Sequence, residues 1–219
     1  PEVMDGAGEC PGGGDLELEE VSVSQEGRRV LEKFSARIPA GTFCAVMGES
    51  GVGKSTIADL LARLIDPEAG AVRLGGVDVR ECGLASVRRE VVLVEQTPFL
   101  LHASVRENLR FGNPGAAVEE VARELGIADL LERDAAGERG QALSAGERQR
   151  IGIARGLLRA GSVYVFDEPT AALDEVTEAM VMRVIRERLR GKTVMVITHR
   201  AKVAAMADQV IDLGERVVS

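Results

Sequence analysis

The stretch from Gly48 to Thr56 constrains the fold of this chain more than any other segment. It reads Gly-Glu-Ser-Gly-Val-Gly-Lys-Ser-Thr, which matches the phosphate-binding loop pattern G-x-x-x-x-G-K-[ST]. An apolar run, Phe43 to Met47, precedes it, and a run of residues suited to a helix, Thr56 to Ile65, follows it. Strand and helix patterns also alternate from Gly146 to Leu213, which argues for an α/β protein with a mainly parallel sheet covered by helices. We therefore expect a phosphate site in that fold class.

The residues of this loop are suited to hold a triphosphate. Glycine lets main-chain N–H groups turn inward toward phosphate oxygens, and a helix N-terminus adds partial positive charge. Lys54 is expected to reach the β- and γ-phosphates, and Ser55 to bind Mg²⁺. The alternative, a glycine-rich turn with a surface lysine, leaves the flanking strand and helix patterns unexplained. The predicted nucleotide-binding residues of the loop are Gly48, Glu49, Ser50, Gly51, Val52, Gly53, Lys54, Ser55 and Thr56.

A second apolar run, Val163 to Phe166, ends in two adjacent carboxylates, Asp167 and Glu168. Two acids at the end of a buried strand are costly unless they meet a metal ion or water. Ligands of α/β proteins bind at this end of the strands. We expect Asp167 to hold Mg²⁺ and Glu168 to polarise a water molecule for attack on the γ-phosphate. The alternative is a polar start to the turn at Pro169.

Two further motifs have an ordinary structural interpretation. Ser144 and Glu147 have the S-x-x-E spacing of a capping box at the start of a predicted helix, Gly146 to Arg159. The N-terminus of that helix is also suited to bind an anion, and the two interpretations are compatible. His199 follows a predicted buried strand, Thr193 to Ile197, and a single histidine at a strand end is usually a surface or capping residue.

Taken in order along the chain, these motifs resemble those of the ATP-binding cassette (ABC) ATPases. Leu143 to Glu147 resembles the signature motif of that family, and Ala171 to Asp174 resembles its D-loop. Gln96, after the apolar run Val91 to Val94, resembles the Q-loop glutamine, and His199 the switch histidine. The resemblance covers residues 15–219. The ordered set is far more specific than the phosphate-binding loop alone.

The resemblance implies an ATPase that uses Mg²⁺, and it implies roles for particular residues. The catalytic residues would be Glu168, His199, Lys54 and Gln96. The Mg²⁺ site would be formed by Ser55, Asp167 and Gln96. Ser144 and Gly146 would contact the ATP bound at Lys54 of a second cassette, because cassettes of this family pair head to tail.

Other segments are similar to the exporter type of cassette. They are residues 96–100, residues 105–112 and the segment Gly137 to Gly140, which is similar to the exporter X-loop. The alternative for Gly137 to Gly140 is a polar turn. The exporter resemblance implies a transmembrane domain as partner and a location at the cytoplasmic face of the cell membrane. We expect a homodimer rather than a heterodimer, because all the hydrolytic residues occur in this chain.

The chain departs from the family pattern in three places. Ala145 and Glu147 stand where the signature motif usually has Gly and Gln. Gln25 stands where an aromatic residue usually stacks on the adenine, and the helical segment is shorter than in most exporters. These departures concern nucleotide affinity and the symmetry of the site.

The expected fold is α/β: a P-loop ATPase (RecA-like) core with an antiparallel β subdomain and a small helical subdomain. Residues 1–14 are rich in Gly, Pro and acidic residues and are predicted to be a flexible tail or linker. Residues 15–219 are predicted to be the ABC ATPase domain, with the helical subdomain at about 98–160. No strand pattern is evident between Pro98 and Gln141, and short helices are predicted there over Ser104 to Arg110, Ala116 to Leu125 and Ile127 to Arg133.

Composition limits the possible partners. The formal net charge of −8 argues against nucleic acid as a partner. The three cysteines are too few and too scattered for a disulfide framework or a zinc site. No apolar run approaches the roughly 18 residues of a membrane span, so the transmembrane domain is expected outside this chain. The alternatives are a soluble ABC ATPase of DNA repair or translation and a small-molecule kinase, but a kinase does not explain Leu143 to Glu147.

Overall fold

The computed structural model describes residues 3–49, 51–134 and 143–214 and divides the chain into two units. The first, which we call the sheet unit, comprises Pro1–Leu93, Gly161–Asp167 and Gly191–Ser219. The second, the helical unit, comprises Val94–Ala160 and Glu168–Arg190.

Strands and helices alternate along most of the chain. The strands are β1 (Leu16–Gln25), β2 (Arg28–Ile38), β3 (Phe43–Met47), β4 (Ala69–Leu74), β5 (Val77–Asp78), β6 (Val91–Val94), β7 (Val163–Asp167), β8 (Thr193–Ile197) and β9 (Gln209–Asp212). The α-helices are α1 (Lys54–Leu61), α2 (Leu84–Glu90), α3 (Val105–Arg110), α4 (Val118–Glu124), α5 (Ala145–Leu157), α6 (Glu175–Arg188) and α7 (Ala201–Ala204).

The larger sheet has the strand order β6-β7-β8-β3-β9, and its pairs β7–β8, β8–β3 and β3–β9 are parallel. Its central strands are almost continuous runs of buried apolar residues, as expected for a sheet covered on both faces. This confirms the predicted α/β fold with a mainly parallel sheet. The observed bounds of β3 and β6 coincide with the apolar runs that predicted them.

The second sheet of the sheet unit is antiparallel, with the order β2-β1-β4-β5. Leu16 of β1 lies opposite Ile38 of β2 on one side and Leu74 of β4 on the other, and all three are buried. Apolar residues from this sheet and from the parallel sheet belong to one core cluster. The predicted antiparallel β subdomain is therefore present.

The helical unit contains α3, α4, α5 and α6. On α5, Ile151 and Ile153 are fully buried, and α5 packs against α3, α4 and α6. The segment Ile127 to Arg133, which the sequence predicts as a helix, forms only a 3₁₀ turn at Ala128–Leu130.

No helix of the described residues has both the length and the apolar character that crossing a membrane requires. The predicted subdomain boundaries near 98 and 160 stay a prediction.

The described part of the N-terminal segment makes specific contacts within the sheet unit. The guanidinium of the buried Arg63 donates to the carbonyl oxygens of Met4, over 2.5 Å, and Cys82, over 2.7 Å. The main-chain N–H of Leu84 donates to the carboxylate of Asp5 over 2.7 Å. Residues 3–14 form no strand or helix, but Asp5, Gly8 and Cys10 hydrogen-bond to residues 81–86.

Candidate functional site

The glycine-rich loop connects β3 to α1, and close packing requires glycine at two of its positions. A Cβ at Gly48 would lie 2.8 Å from Cγ1 of Val52. Gly53 has φ +103°, and a Cβ there would lie 3.0 Å from Cδ2 of Leu31. A side chain at Gly53 would therefore strain the left-handed backbone and crowd the side chain of Leu31 on β2. Ser50 lies outside the described residues.

Lys54 is the first residue of α1, and its side chain turns back into the loop. Its Nζ donates to the carbonyl oxygens of Gly48, over 2.8 Å, and Glu49, over 2.9 Å. The residue is only 7% exposed, so an ammonium group is held almost completely out of water by the main chain of the loop. Buried cations need such partners, and these carbonyls orient the ammonium at the N-terminus of α1.

The register of the parallel sheet brings three predicted site elements to one edge. Asp167, the last residue of β7, lies opposite Ile197 of β8, which lies opposite Val46 of β3. Since adjacent strands are about 4.8 Å apart, the main chain of Asp167 is roughly 10 Å from the strand that leads into the loop. His199 follows Ile197 by two residues and is exposed. The carboxyl ends of β3, β7 and β8 thus present Lys54, Asp167 and His199 on the same edge.

The groups at this edge fit a magnesium-bound triphosphate. The ammonium of Lys54 and the partial positive charge at the start of α1 suit phosphate oxygens. A Cβ at Gly51 would meet open space, so a ligand can approach the loop there. The hydroxyl of Ser55 and the carboxylate of Asp167 are the oxygen ligands that Mg²⁺ prefers.

The other predicted site residues belong to the helical unit. Gln96 follows β6 and is exposed. Glu168 is partly buried and has the left-handed φ of +46°, which is uncommon outside glycine. Ser144 and Gly146 lie at the start of α5. Their roles in catalysis and nucleotide binding stay predictions.

The capping box predicted at the start of α5 is confirmed. The Ser144 hydroxyl accepts from the N–H of Glu147 over 3.1 Å, and the Glu147 carboxylate accepts from the N–H of Ser144 over 2.7 Å. This bond to the main chain of Ser144 lowers the pKa of the Glu147 carboxyl below its ordinary value of 4.5. The negative charge also lies favourably at the positive end of the helix.

Gln149 is a polar residue of this region that the sequence reasoning missed. It is 3% exposed, and its side-chain amide bonds to the main chain of Glu168 and Ala172. A signal for it existed in the sequence, because Gln149 lies four residues before the buried Ile153 on the same face of α5. A glutamine on an apolar helix face requires polar partners from another segment.

Two sequence-based predictions concern other positions. Gly137 to Gly140, the predicted X-loop, lies outside the described residues.

Gln25, the last residue of β1, is exposed. The structure describes every Phe and Tyr of the chain, and those of the sheet unit, which carries Lys54, are all buried: Phe34, Phe43, Tyr164 and Phe166.

A glycine-rich loop between a parallel strand and a helix, with Asp167 at the end of β7, two strands away in the same sheet, defines the class of P-loop proteins that bind nucleoside triphosphates. Within that class, the family model described as ABC transporter matches residues 31–171. The chain therefore belongs to the ABC transporter family, which implies ATP binding and ATPase activity.

Relatives and a solved structure agree with this assignment. The chain is 42% identical over 211 residues to ABC transporter ATM1 of Toxoplasma gondii, covering 92% of the chain and 18% of that protein. It is 40% identical over 219 residues to the Beta-(1-->2)glucan export ATP-binding/permease protein NdvA of Nitrobacter winogradskyi, covering 92% of the chain and 36% of that protein. A bacterial Atm1-family ABC exporter with ATP bound superposes with a TM-score of 0.85 at 33% identity, covering 92% of the chain and 38% of that structure.

The chain thus spans well under half the length of each of these proteins. Its similarity is to ATP-binding cassettes of exporters, as the sequence motifs predicted. A soluble ABC ATPase of DNA repair or translation is not favoured by these relatives.

Proposed function

We propose that this chain hydrolyses ATP with Mg²⁺ and thereby powers the export of a substrate through a transmembrane domain outside the chain. The observation that carries the proposal is the ammonium of Lys54, held inside the glycine loop at the edge of the sheet where Asp167 ends its strand. The exporter relatives support the coupling to transport.

Each residue has a defined part in this proposal. Lys54 binds the β- and γ-phosphates, and Ser55 and Asp167 hold Mg²⁺, with Gln96 as a further ligand. Bound Mg²⁺ neutralises charge on the phosphate oxygens. Glu168 takes a proton from the attacking water as general base. His199, at the end of β8, contacts the γ-phosphate.

The active assembly in this proposal contains two cassettes. Ser144 and Gly146 at the start of one α5 bind the ATP held by Lys54 of the other cassette. ATP binding closes the pair, and hydrolysis with product release reopens it. We propose a homodimer, attached to its transmembrane domain at the cytoplasmic face of the cell membrane.

The experiment that tests the proposed ATPase is the substitution Lys54→Met in the intact protein. We expect it to abolish steady-state phosphate release from ATP and to weaken nucleotide binding at least tenfold, because the buried ammonium is removed. The matched control is Lys192→Met, which changes an exposed lysine in the turn before β8. Hydrolysis in Lys54→Met within a few-fold of the wild type would contradict the proposal.

A further inference from the structure

We propose that Gln149 is a positioning residue that holds Glu168 in the geometry needed for hydrolysis. The inference rests on the proposed function, since it assumes that Glu168 is the general base. Gln149 itself is not expected to contact the nucleotide, because the residue is only 3% exposed and its amide bonds to the main chain.

Both ends of the Gln149 amide are bonded to the turn that follows β7. Its Nε2 donates to the carbonyl oxygen of Glu168 over 2.7 Å, and its Oε1 accepts from the N–H of Ala172 over 3.1 Å. The side chain is 3% exposed, so water does not compete strongly for either bond. One side chain therefore fixes both the first and the last residue of this turn.

The main chain of Glu168 needs such support. Its φ of +46° is a left-handed conformation that costs free energy for a residue with a side chain and persists only where neighbouring groups determine it. The same Glu168 carbonyl also accepts from the N–H of Ala171 over 3.1 Å. Two donors thus orient the peptide plane after Glu168, and the backbone angles of Glu168 direct its carboxylate.

Gln149 also joins this turn to the helix that carries the signature motif. It lies in the second turn of α5, which begins immediately after Ser144. At the start of the same helix, a Cβ on Gly146 would lie 3.2 Å from the carbonyl oxygen of Ala172. The main chain of α5 and the turn are therefore in close contact, and a shift of α5 would be passed to Glu168 through the Gln149 amide.

The two bonds require a primary amide of this length. Glutamate at 149 keeps an acceptor for the Ala172 N–H but places a carboxylate oxygen against the carbonyl of Glu168. Methionine is close in size and apolar, and it loses both bonds. Gln149→Met therefore tests positioning with little change in side-chain volume.

The test compares steady-state ATP hydrolysis in the intact protein for Gln149→Met, Glu168→Gln and the double variant. We expect Gln149→Met to lower kcat by about tenfold to a hundredfold, a loss typical of a displaced catalytic group, with the KM for ATP within threefold of the wild type. In the Glu168→Gln background, the same substitution should lower the residual rate no further. Ile153→Val on the same helix is the control for loosened packing and should leave kcat within twofold.

The possible outcomes separate this inference from the proposed function. If Glu168→Gln keeps wild-type turnover, Glu168 is not the general base, and the positioning role that depends on this assignment is overturned with it. If Glu168→Gln is inactive but Gln149→Met has wild-type kcat, only the positioning role is overturned. An equal loss from Gln149→Met in both backgrounds also overturns it, since Gln149 would then act independently of Glu168.

Discussion

Ser144 and Glu147 cap helix α5 reciprocally, each side chain accepting a hydrogen bond from the main-chain N–H of the other. Glu147 stands where the family signature usually has Gln, and either side chain can accept from the N–H of Ser144. The difference is the negative charge, which strengthens the bond, and the bond from the Ser144 main chain in turn lowers the pKa of Glu147. A departure from the sequence pattern thus preserves the local structure and adds a pH-dependent contribution to stability.

Glu147→Gln should therefore lower the free energy of unfolding at neutral pH. In acid, the difference in stability between the variant and the wild type should disappear. Because the folded pKa is below the unfolded value, the charge contributes stability above about pH 4.5, and this contribution disappears as the pH falls through the folded pKa. We expect a loss of about 0.3–1 kcal/mol in the free energy of unfolding at pH 7. Denaturant titrations across this pH range measure it.

The capping box of α3 provides the matched control for this prediction. Ser104 and Glu107 form the same reciprocal bonds, and the hydroxyl and N–H of Ser104 lower the pKa of Glu107. Glu107→Gln should change stability in the same direction, with the loss again disappearing in acid. A difference between Glu147→Gln and wild type that does not change with pH would show that the charge of Glu147 is not the cause.

The proposed pairing of two cassettes predicts that activity depends on protein concentration. ATPase activity per molecule of the isolated chain should rise with its concentration, because Ser144 and Gly146 complete a site on another copy. Ser144→Arg should abolish hydrolysis while ATP still binds at Lys54. Measurements of phosphate release and nucleotide binding on the same samples distinguish the two effects.

Ser104→Arg is the control for this substitution, since Ser104 holds the same capping position on α3. It should reduce stability similarly but leave turnover within a few-fold of the wild type. Specific activity that stays constant over a wide concentration range would contradict a site shared between separate cassettes.

Because Gln25 stands where the family usually has an aromatic residue, we expect modest affinity for ATP and weak discrimination against GTP. Contacts to the triphosphate at Lys54 do not distinguish the bases, and every aromatic residue of the sheet unit is buried. Stacking of an aromatic side chain on a base is worth roughly 1–3 kcal/mol. Gln25→Tyr should therefore tighten ATP binding about tenfold, which corresponds to 1.4 kcal/mol.

Titration of both nucleotides into the wild type and Gln25→Tyr measures this effect, with Gln25→Leu as a non-aromatic control. A strong preference of the wild type for ATP, or no gain in Gln25→Tyr, would show that another residue holds the base.

The sequence predicted the parallel sheet closely, because strands such as β3 and β8 are continuous apolar runs bounded by polar residues. It missed α2, whose N-cap Gly83 forms no side-chain bond, while a partner for the Leu84 N–H comes from the distant Asp5. A contact between residues so far apart along the chain leaves no local pattern. The helix predicted over Ile127 to Arg133 is wrong, since the structure has only a 3₁₀ turn, Ala128–Leu130, in this segment.

The candidate site was likewise predicted only where its features follow from local sequence. The motif at Lys54 and the acidic pair at Asp167 follow from local sequence, and the register of β3, β7 and β8 brings Lys54 and Asp167 to one edge. The left-handed backbone of Glu168 and its bond to Gln149 depend on the packing of α5, which motif spacing does not specify.

The central claim is that this chain hydrolyses ATP with Glu168 as general base, and Glu168→Gln tests it most directly. Its control is Glu187→Gln, which neutralises an exposed carboxylate on α6. We predict that Glu168→Gln binds ATP as tightly as the wild type, accumulates as an ATP-bound dimer and loses turnover by about 10²–10⁴-fold. Steady-state hydrolysis within a few-fold of the wild type would contradict the claim.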